Sequence, residues 1–119
     1  MREFSLRKKD RLRKSIDYKK LNLSGKKIEN HEFILIYKKN VLKNSRLGIT
    51  VSKKVGIAVE RNRIKRIARE FFRTNRYLFI IGGVDFNVIA KKSASSKSNK
   101  DLFESLKEVE KKIDNKIRL

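Results

Sequence analysis

Ser52-Lys-Lys-Val-Gly-Ile-Ala-Val-Glu-Arg-Asn-Arg-Ile-Lys-Arg-Ile-Ala-Arg-Glu-Phe-Phe-Arg73 reads as a Gly-turned loop feeding an amphipathic helix with one cationic face. Projected at about 100° per residue, Ile64, Ile67, Ala68, Phe71 and Phe72 fall on one stripe. Lys65, Arg66, Arg69, Arg73 and Arg76 gather opposite, with Asn62. One side suits packing on a sheet and the other suits phosphates.

An ordinary solvated helix face mixes charges so that i,i+4 ion pairs form. Between Lys53 and Arg76 there are nine Lys or Arg against only Glu60 and Glu70, which leaves the face short of such pairs. Repulsion of that kind calls for an anionic partner. The guanidinium groups add specificity, because their planar forks grip phosphate bidentately and stack on bases.

Composition points the same way. A chain of 119 residues is a single small domain with one core between a sheet and a few helices. Its formal charge of +20 exceeds what solubility requires and implies RNA or DNA as partner. The absence of Cys excludes disulfides, thiolate metal sites and thiol redox chemistry, as expected of a reducing, cytoplasmic setting. The apolar stretches Phe33 to Tyr37 and Tyr77 to Ile81 are too short to span a bilayer, and no signal-peptide pattern follows the basic start, so neither membrane residence nor export is expected.

Working outward from the basic helix, Arg46-Leu-Gly-Ile-Thr-Val-Ser52 before it and Val84-Asp-Phe-Asn-Val-Ile-Ala90 after a Gly82-Gly83 turn read as strands. Phe33-Ile-Leu-Ile-Tyr37 is an apolar strand covered on both faces, and a short strand is expected near Lys26 to Glu29, turning at Asn30-His31. Asp10 is placed to cap a first helix reaching about Leu23, with Leu12, Ile16 and Leu23 on one side, Tyr18 and Leu21 nearby, and a stop at Ser24-Gly25. Residues 1 to 9 form a flexible basic arm. Lys91 to Asn99 is a Ser-rich loop, and a last helix from about Asp101 spaces Leu102, Phe103, Leu106, Val109 and Ile113 helically. That helix region is nearly neutral, with six basic and five acidic residues from Lys100 to Leu119, whereas residues 1 to 27 carry eleven basic against three acidic. The excess charge is thus placed on the first and middle segments, as a specific interface requires.

The residues for autonomous chemistry are scarce. His31 is the only His and falls at an expected turn, where a surface or capping role suits it. Glu60 and Glu70, ten residues apart on one helix, are about 15 Å apart along its axis, too far to share an ion. From residues alone the protein binds nucleic acid without an active site of its own, and no catalytic or metal-ligating residue is expected.

Thr50 through Glu70, centred on Arg61-Asn62-Arg63, closely resembles the signature of the protein subunit of bacterial ribonuclease P. Arg11-Leu12 and Asp17-Tyr18 resemble that family's first helix, Phe33 to Tyr37 its apolar strand, and Asp85 with Val88-Ile-Ala-Lys91 its last strand. The likeness covers about Arg11 through Ser93. It implies an α+β fold: a two-layer α/β sandwich with a four-stranded sheet, an N-terminal helix, the basic helix in a left-handed βαβ crossover, and a C-terminal helix. A domain of a small-subunit ribosomal protein is similar. The general handedness rule gives the opposite crossover.

The resemblance also implies a role as cofactor to a catalytic RNA that, with Mg²⁺ held mainly by that RNA, removes the 5′ leader of precursor tRNA. On this likeness Lys53, Lys54, Arg61, Asn62, Arg63, Lys65, Arg66, Arg69 and Arg73 contact the catalytic RNA. Arg11, Tyr18, Ile34, Ile36, Thr50, Ser52, Lys91 and Lys92 form a cleft for the single-stranded leader, where an aromatic ring beside basic groups suits unpaired nucleotides. Read from the residues alone, covering the sheet suits Tyr18 slightly better than base stacking, and Ile34 and Ile36 serve packing. One departure is Asn22, where family members often carry a second aromatic one helical turn after the first; it favours hydrogen bonding over stacking at that point. The alternative of another class is a structural, ribosomal-type RNA-binding protein with no link to cleavage.

Overall fold

The computed structural model describes residues 7–117, with side chains as far as residue 113. Its elements run β1 (Lys26–Glu29), β2 (Phe33–Lys39), β3 (Arg46–Thr50) and β4 (Val84–Ala90), with α1 (Ser15–Ser24) before the sheet, α2 (Ala58–Thr74) and α3 (Tyr77–Ile81) between β3 and β4, and α4 (Asn99–Ile117) at the end. Short 3-10 turns occupy Lys8–Asp10 and Lys92–Ser96. The strands assemble in the order β1-β2-β4-β3, with β1, β2 and β4 antiparallel and β3 parallel to β4. A parallel neighbour requires a crossover, and α2 supplies it.

Period-two alternation explains both faces of the sheet. Phe33, Leu35 and Tyr37 of β2 and Val84, Phe86, Val88 and Ala90 of β4 enter the main core. There they meet Ile64, Ala68, Phe71 and Phe72 of α2 and Leu102, Leu106, Val109 and Ile113 of α4. Edge-to-face rings lock this layer: Phe72 to Phe86 at 5.4 Å, Phe71 to Phe103 at 5.1 Å and Phe79 to Phe86 at 5.5 Å. Ile34 and Ile36 point the other way, into a smaller cluster with Leu12, Tyr18, Leu21 and Ile89 beneath α1. Phe33 to Tyr37 is therefore covered on both faces, as its unbroken apolar run indicates.

The sheet edges are managed differently. Lys26, Lys27 and Glu29 leave β1 charged and exposed, which discourages pairing with another chain. The outer edge of β3 is closed by the N-terminal segment: Arg11 bridges Leu47, and the Leu12 N–H donates to the Leu47 carbonyl at 2.8 Å.

Four local expectations change. Asp10 does not cap α1; it ends the first 3-10 turn, where its carboxylate accepts the Arg7 N–H at 3.2 Å, and α1 starts later, after Lys14. Ile16 and Leu23 consequently face solvent, 52% and 88% exposed, while Leu12 reaches the core before the helix begins. Of the expected arm, residues 1–6 lie outside the described residues, and Lys8 and Lys9 belong to the turn. Tyr77–Ile81 is a short helix, and Arg76, expected on the cationic face, precedes it with its guanidinium 4.6 Å above the Phe79 ring. The Ser-rich segment after β4 is a 3-10 turn that buries Ala94 against α2.

Candidate nucleic-acid interface

On the α1 side, the strand register lays the side chains in three rows across the sheet. The first is Glu29, Ile34, Ile89 and Thr50; the second is Lys27, Ile36, Asn87 and Gly48; the third is Lys38, Asp85 and Arg46. Helix α1 lies over the second and third rows. Asp17 reaches Arg46 at 3.4 Å, Tyr18 sits on Gly48, Asn22 bonds Asn87, and Gly25 lies against Ile36. The first row is left half-open, where the cleft expected from the resemblance would have its floor.

Each contact has a sequence cause. A Cβ at Gly48 would stand 2.6 Å from Tyr18 Cε1, so only glycine lets the ring lie on the strand. The Tyr18 hydroxyl donates to the Leu12 carbonyl at 3.3 Å, and burial raises its pKa above the ordinary phenol value. Arg46 forks onto Asp85, Nε to Oδ1 at 2.9 Å and Nη2 to Oδ2 at 2.7 Å. That pairing, chiefly the hydrogen bonds to Asp85, raises the Arg46 pKa further. Asp85 also accepts from Asn40 Nδ2 at 2.7 Å. Asp85 is thus a structural carboxylate.

Asn87 is fully buried in the middle of β4. Its amide is satisfied on both sides: Thr50 Oγ1 donates to Oδ1 at 3.0 Å, and Nδ2 donates to Asn22 Oδ1 at 3.2 Å. The departure noted at Asn22 therefore has a partner 65 residues away, and the two amides carry a polar track from α1 to the cleft floor. A lone Asn inside Val84-Asp-Phe-Asn-Val-Ile-Ala90 was the available signal for this track, and composition alone did not expose it.

Of the residues assigned to the cleft, Tyr18, Ile34, Thr50, Ser52, Lys91 and Lys92 surround or border the first row. Ile36 lies under α1 at 8% exposure. Arg11 is set apart, at the outer edge of β3 beside Asp17 and Arg46. Lys91 Nζ is engaged at the rim by Glu29 Oε1 and the Asn30 carbonyl, and the Glu29 carboxyl is held below its ordinary pKa, chiefly by that Lys91 hydrogen bond. Lys92 opens the following turn and is exposed.

The second surface begins where the first ends. Immediately after Ser52 come Lys53 and Lys54, exposed in a turn anchored by buried Val55, whose N–H bonds the Ser52 carbonyl at 3.0 Å. Arg61 Nε donates to the Gly56 carbonyl at 3.1 Å and braces that turn onto α2. Asn62, Arg66 and Arg69 are exposed along one ridge of the helix, with Lys65 and Arg73 half-buried at its flanks. Two acids temper the face, because Glu60 pairs with Arg63 at 3.0 Å and Glu70 with Arg73 at 2.7 Å, both at i,i+3. Arg63 also reaches Asn99 Oδ1 at 2.8 Å and the Ser95 carbonyl at 3.3 Å, tying α2 to the start of α4. The Arg-Asn-Arg triplet thus divides its work: two arginines hold neighbouring segments and Asn62 faces outward.

Among the described residues no three His, Cys, Asp or Glu side chains gather as a metal site. The described acids near both surfaces face cations, as Asp85 faces Arg46. Among the described residues no helix is long and apolar enough to cross a membrane.

A mixed four-stranded sheet with a cationic crossover helix on one face and a half-exposed row of strand residues beside α1 on the other defines a small basic α+β protein. The ribonuclease P family model matches residues 6–114. The chain belongs to that family, the protein components of a tRNA-processing endoribonuclease. It is 44% identical over 113 residues to the ribonuclease P protein component of Desulforapulum autotrophicum, covering 95% of this chain and 96% of the relative. It is 48% identical over 109 residues to that of Desulfosudis oleivorans, covering 92% and 89%. Among solved structures, the Staphylococcus aureus RNase P protein superposes with a TM-score of 0.80 at 35% identity, covering 86% of this chain and 93% of that one. The Thermotoga maritima RNase P protein gives 0.71 at 36% identity, covering 81% and 90%. The α+β architecture expected from the sequence is the one observed.

Proposed function

We propose that this chain docks through the α2 ridge and the Lys53–Lys54 turn onto the catalytic RNA of ribonuclease P, and that the cleft under Tyr18 receives the 5′ leader of precursor tRNA. Bond scission belongs to the RNA, with Mg²⁺ held there; the protein's part is to bind, orient and offset phosphate repulsion, in the cytoplasm. The observation that carries this reading is continuity. Thr50 ends the cleft floor, and Lys53 begins the cationic surface three residues after it, so one strand end addresses both RNAs.

The test adds the purified protein to a bacterial ribonuclease P RNA at low Mg²⁺ and scores 5′ processing of precursor tRNA. Rescue of cleavage is expected; RNA binding without rescue would favour the ribosomal-type alternative. One Staphylococcus aureus relative was solved as a mutant with defective mRNA degradation activity, so a protein-alone arm is included. Precursor cleavage in that arm would contradict assigning scission to the RNA. If about five phosphates are neutralised, log affinity falls against log salt with a slope of roughly −3.5 to −4.5. Arg69→Ala flattens that slope by about one.

A further inference from the structure

A second cationic feature lies at the other end of the molecule, away from the Lys53 turn. Lys53 precedes α2 and Arg76 follows it, and the 17-residue helix between them is about 25 Å long. Around Arg76 is a cavity of about 320 Å³ whose walls include Arg7, Lys9 and Lys43, with Asp10 as the one carboxylate among the described residues. Among those residues four cations drawn from three separate segments face a single acid, and that acid already accepts the Arg7 N–H. Arg76 Nη1 is buried and has no hydrogen-bond partner among the described residues, although its guanidinium is held over Phe79. A buried charge left unpaired is costly, and a negative charge in the adjoining cavity would offset it.

The walls are rigidly backed. Ser45 is buried, donates to the Leu78 carbonyl at 2.6 Å and accepts the Val84 N–H at 3.1 Å. Asn44 Nδ2 donates to the Lys9 carbonyl at 2.6 Å, which joins the N-terminal turn to the β2–β3 loop. Gly82, at φ 68°, approaches the Lys43 carbonyl so closely that a Cβ would stand 2.5 Å from it. A neighbouring cavity of about 290 Å³ shares Lys9 and Asn44 and adds Lys8, Arg11, Arg13 and Lys14 to its walls, extending the positive field.

From these observations we propose that the cavity bounded by Arg7, Lys9, Lys43 and Arg76 is a phosphate-binding site separate from the α2 ridge. The phosphate is either a backbone group of an RNA or the free ion. The first source rests on the function proposed above; the second does not.

The test titrates inorganic phosphate into the ¹⁵N-labelled full chain and follows the backbone amides of Asn44, Ser45 and Phe79, using wild type, Arg76→Gln and Lys43→Gln. Lys43 is exposed, so its variant keeps the test valid should loss of Arg76 perturb folding. Saturable shifts are expected, at least tenfold weaker in each variant, with the amides of Asn62 and Arg66 responding as in wild type. Shifts absent from Asn44, Ser45 and Phe79, or unchanged in both variants, would overturn the site. The source is then read from affinity for ribonuclease P RNA and for precursor tRNA. A salt slope shallower by about 0.7 to 0.9 in the variants for either RNA assigns a backbone phosphate. An unaltered slope for both assigns the free ion.

Discussion

Replacing Gly48 by Ala tests whether the Tyr18 ring is what requires a glycine in the middle of β3. The new Cβ would stand 2.6 Å from Tyr18 Cε1 and 2.9 Å from both Cζ and Oη, against ordinary contacts of 3.4–4 Å, so about 1 Å of movement is required. The strand cannot supply it. Gly48 is registered with Asn87 on β4, and the next residue along, Leu47, is held from outside by the Leu12 N–H. The ring therefore lifts, losing its bond to the Leu12 carbonyl and its packing on the Leu12, Leu21 and Ile36 cluster. Overpacking of this kind costs about 1–3 kcal/mol, offset by about 0.5–1 kcal/mol because alanine loses less chain entropy than glycine in a strand. A net loss of roughly 0.5–2 kcal/mol is expected from urea unfolding. In a Tyr18→Ala background the clash is absent, so the same substitution changes sign and stabilises by about 0.5–1 kcal/mol. The cycle thus yields a coupling of about 1–3 kcal/mol. Equal costs in the two backgrounds would refute the reasoning and place the need for glycine elsewhere.

Asn30→Ala removes the acceptor for the Glu32 and Phe33 N–H groups and the donor to the Ser105 carbonyl and hydroxyl; a loss of about 2–4 kcal/mol is expected by calorimetry, and a loss under about 0.5 kcal/mol would contradict a structural role for this buried amide. Burial pushes the Glu32 carboxyl up, but hydrogen bonds from Ser105 and His31 and the nearby Lys97 outweigh it, leaving the pKa below 4.5. A depressed carboxyl stabilises above its unfolded value and loses that contribution as pH falls through its folded one, so Glu32→Gln should flatten the decline in urea midpoint below about pH 4.5; parallel declines would exclude this group. Asn22→Phe strands the buried Asn87 Nδ2 and should cost about 1–3 kcal/mol of stability. The same change should tighten binding of leader-bearing precursor relative to leaderless tRNA through stacking, and unchanged discrimination would separate this position from the leader.

The misreading of α1 shows where local pattern fails. Leu12, Ile16 and Leu23 were expected to share one side of the helix, yet Leu12 packs from an extended segment and the other two face water. The helix is held by long-range contacts, Asp17 to Arg46, Tyr18 on Gly48 and Asn22 to Asn87, rather than by an apolar stripe. The α2 stripe, by contrast, was legible, with Ile64, Ala68, Phe71 and Phe72 all fully buried. Seventeen residues repeating one period against one sheet leave few alternatives. Within α2 itself, Glu60 and Glu70 were counted as too few to matter, although each satisfies an arginine one turn later.

By itself the sequence determined the order of the four strands and of α1, α2 and α4, the apolar faces of α2 and α4, the cationic ridge and the membership in a ribonuclease P family, because each is written in neighbours a few positions apart or in one unbroken motif. The tertiary structure alone decided which strand lies beside which, which polar groups satisfy Asn87 and Asp85, and that Arg7, Lys9, Lys43 and Arg76 share a cavity. The partners of Asn87 and Asp85 lie 37 to 65 residues away along the chain, and their proximity follows from closing β3 beside β4 rather than from any local preference.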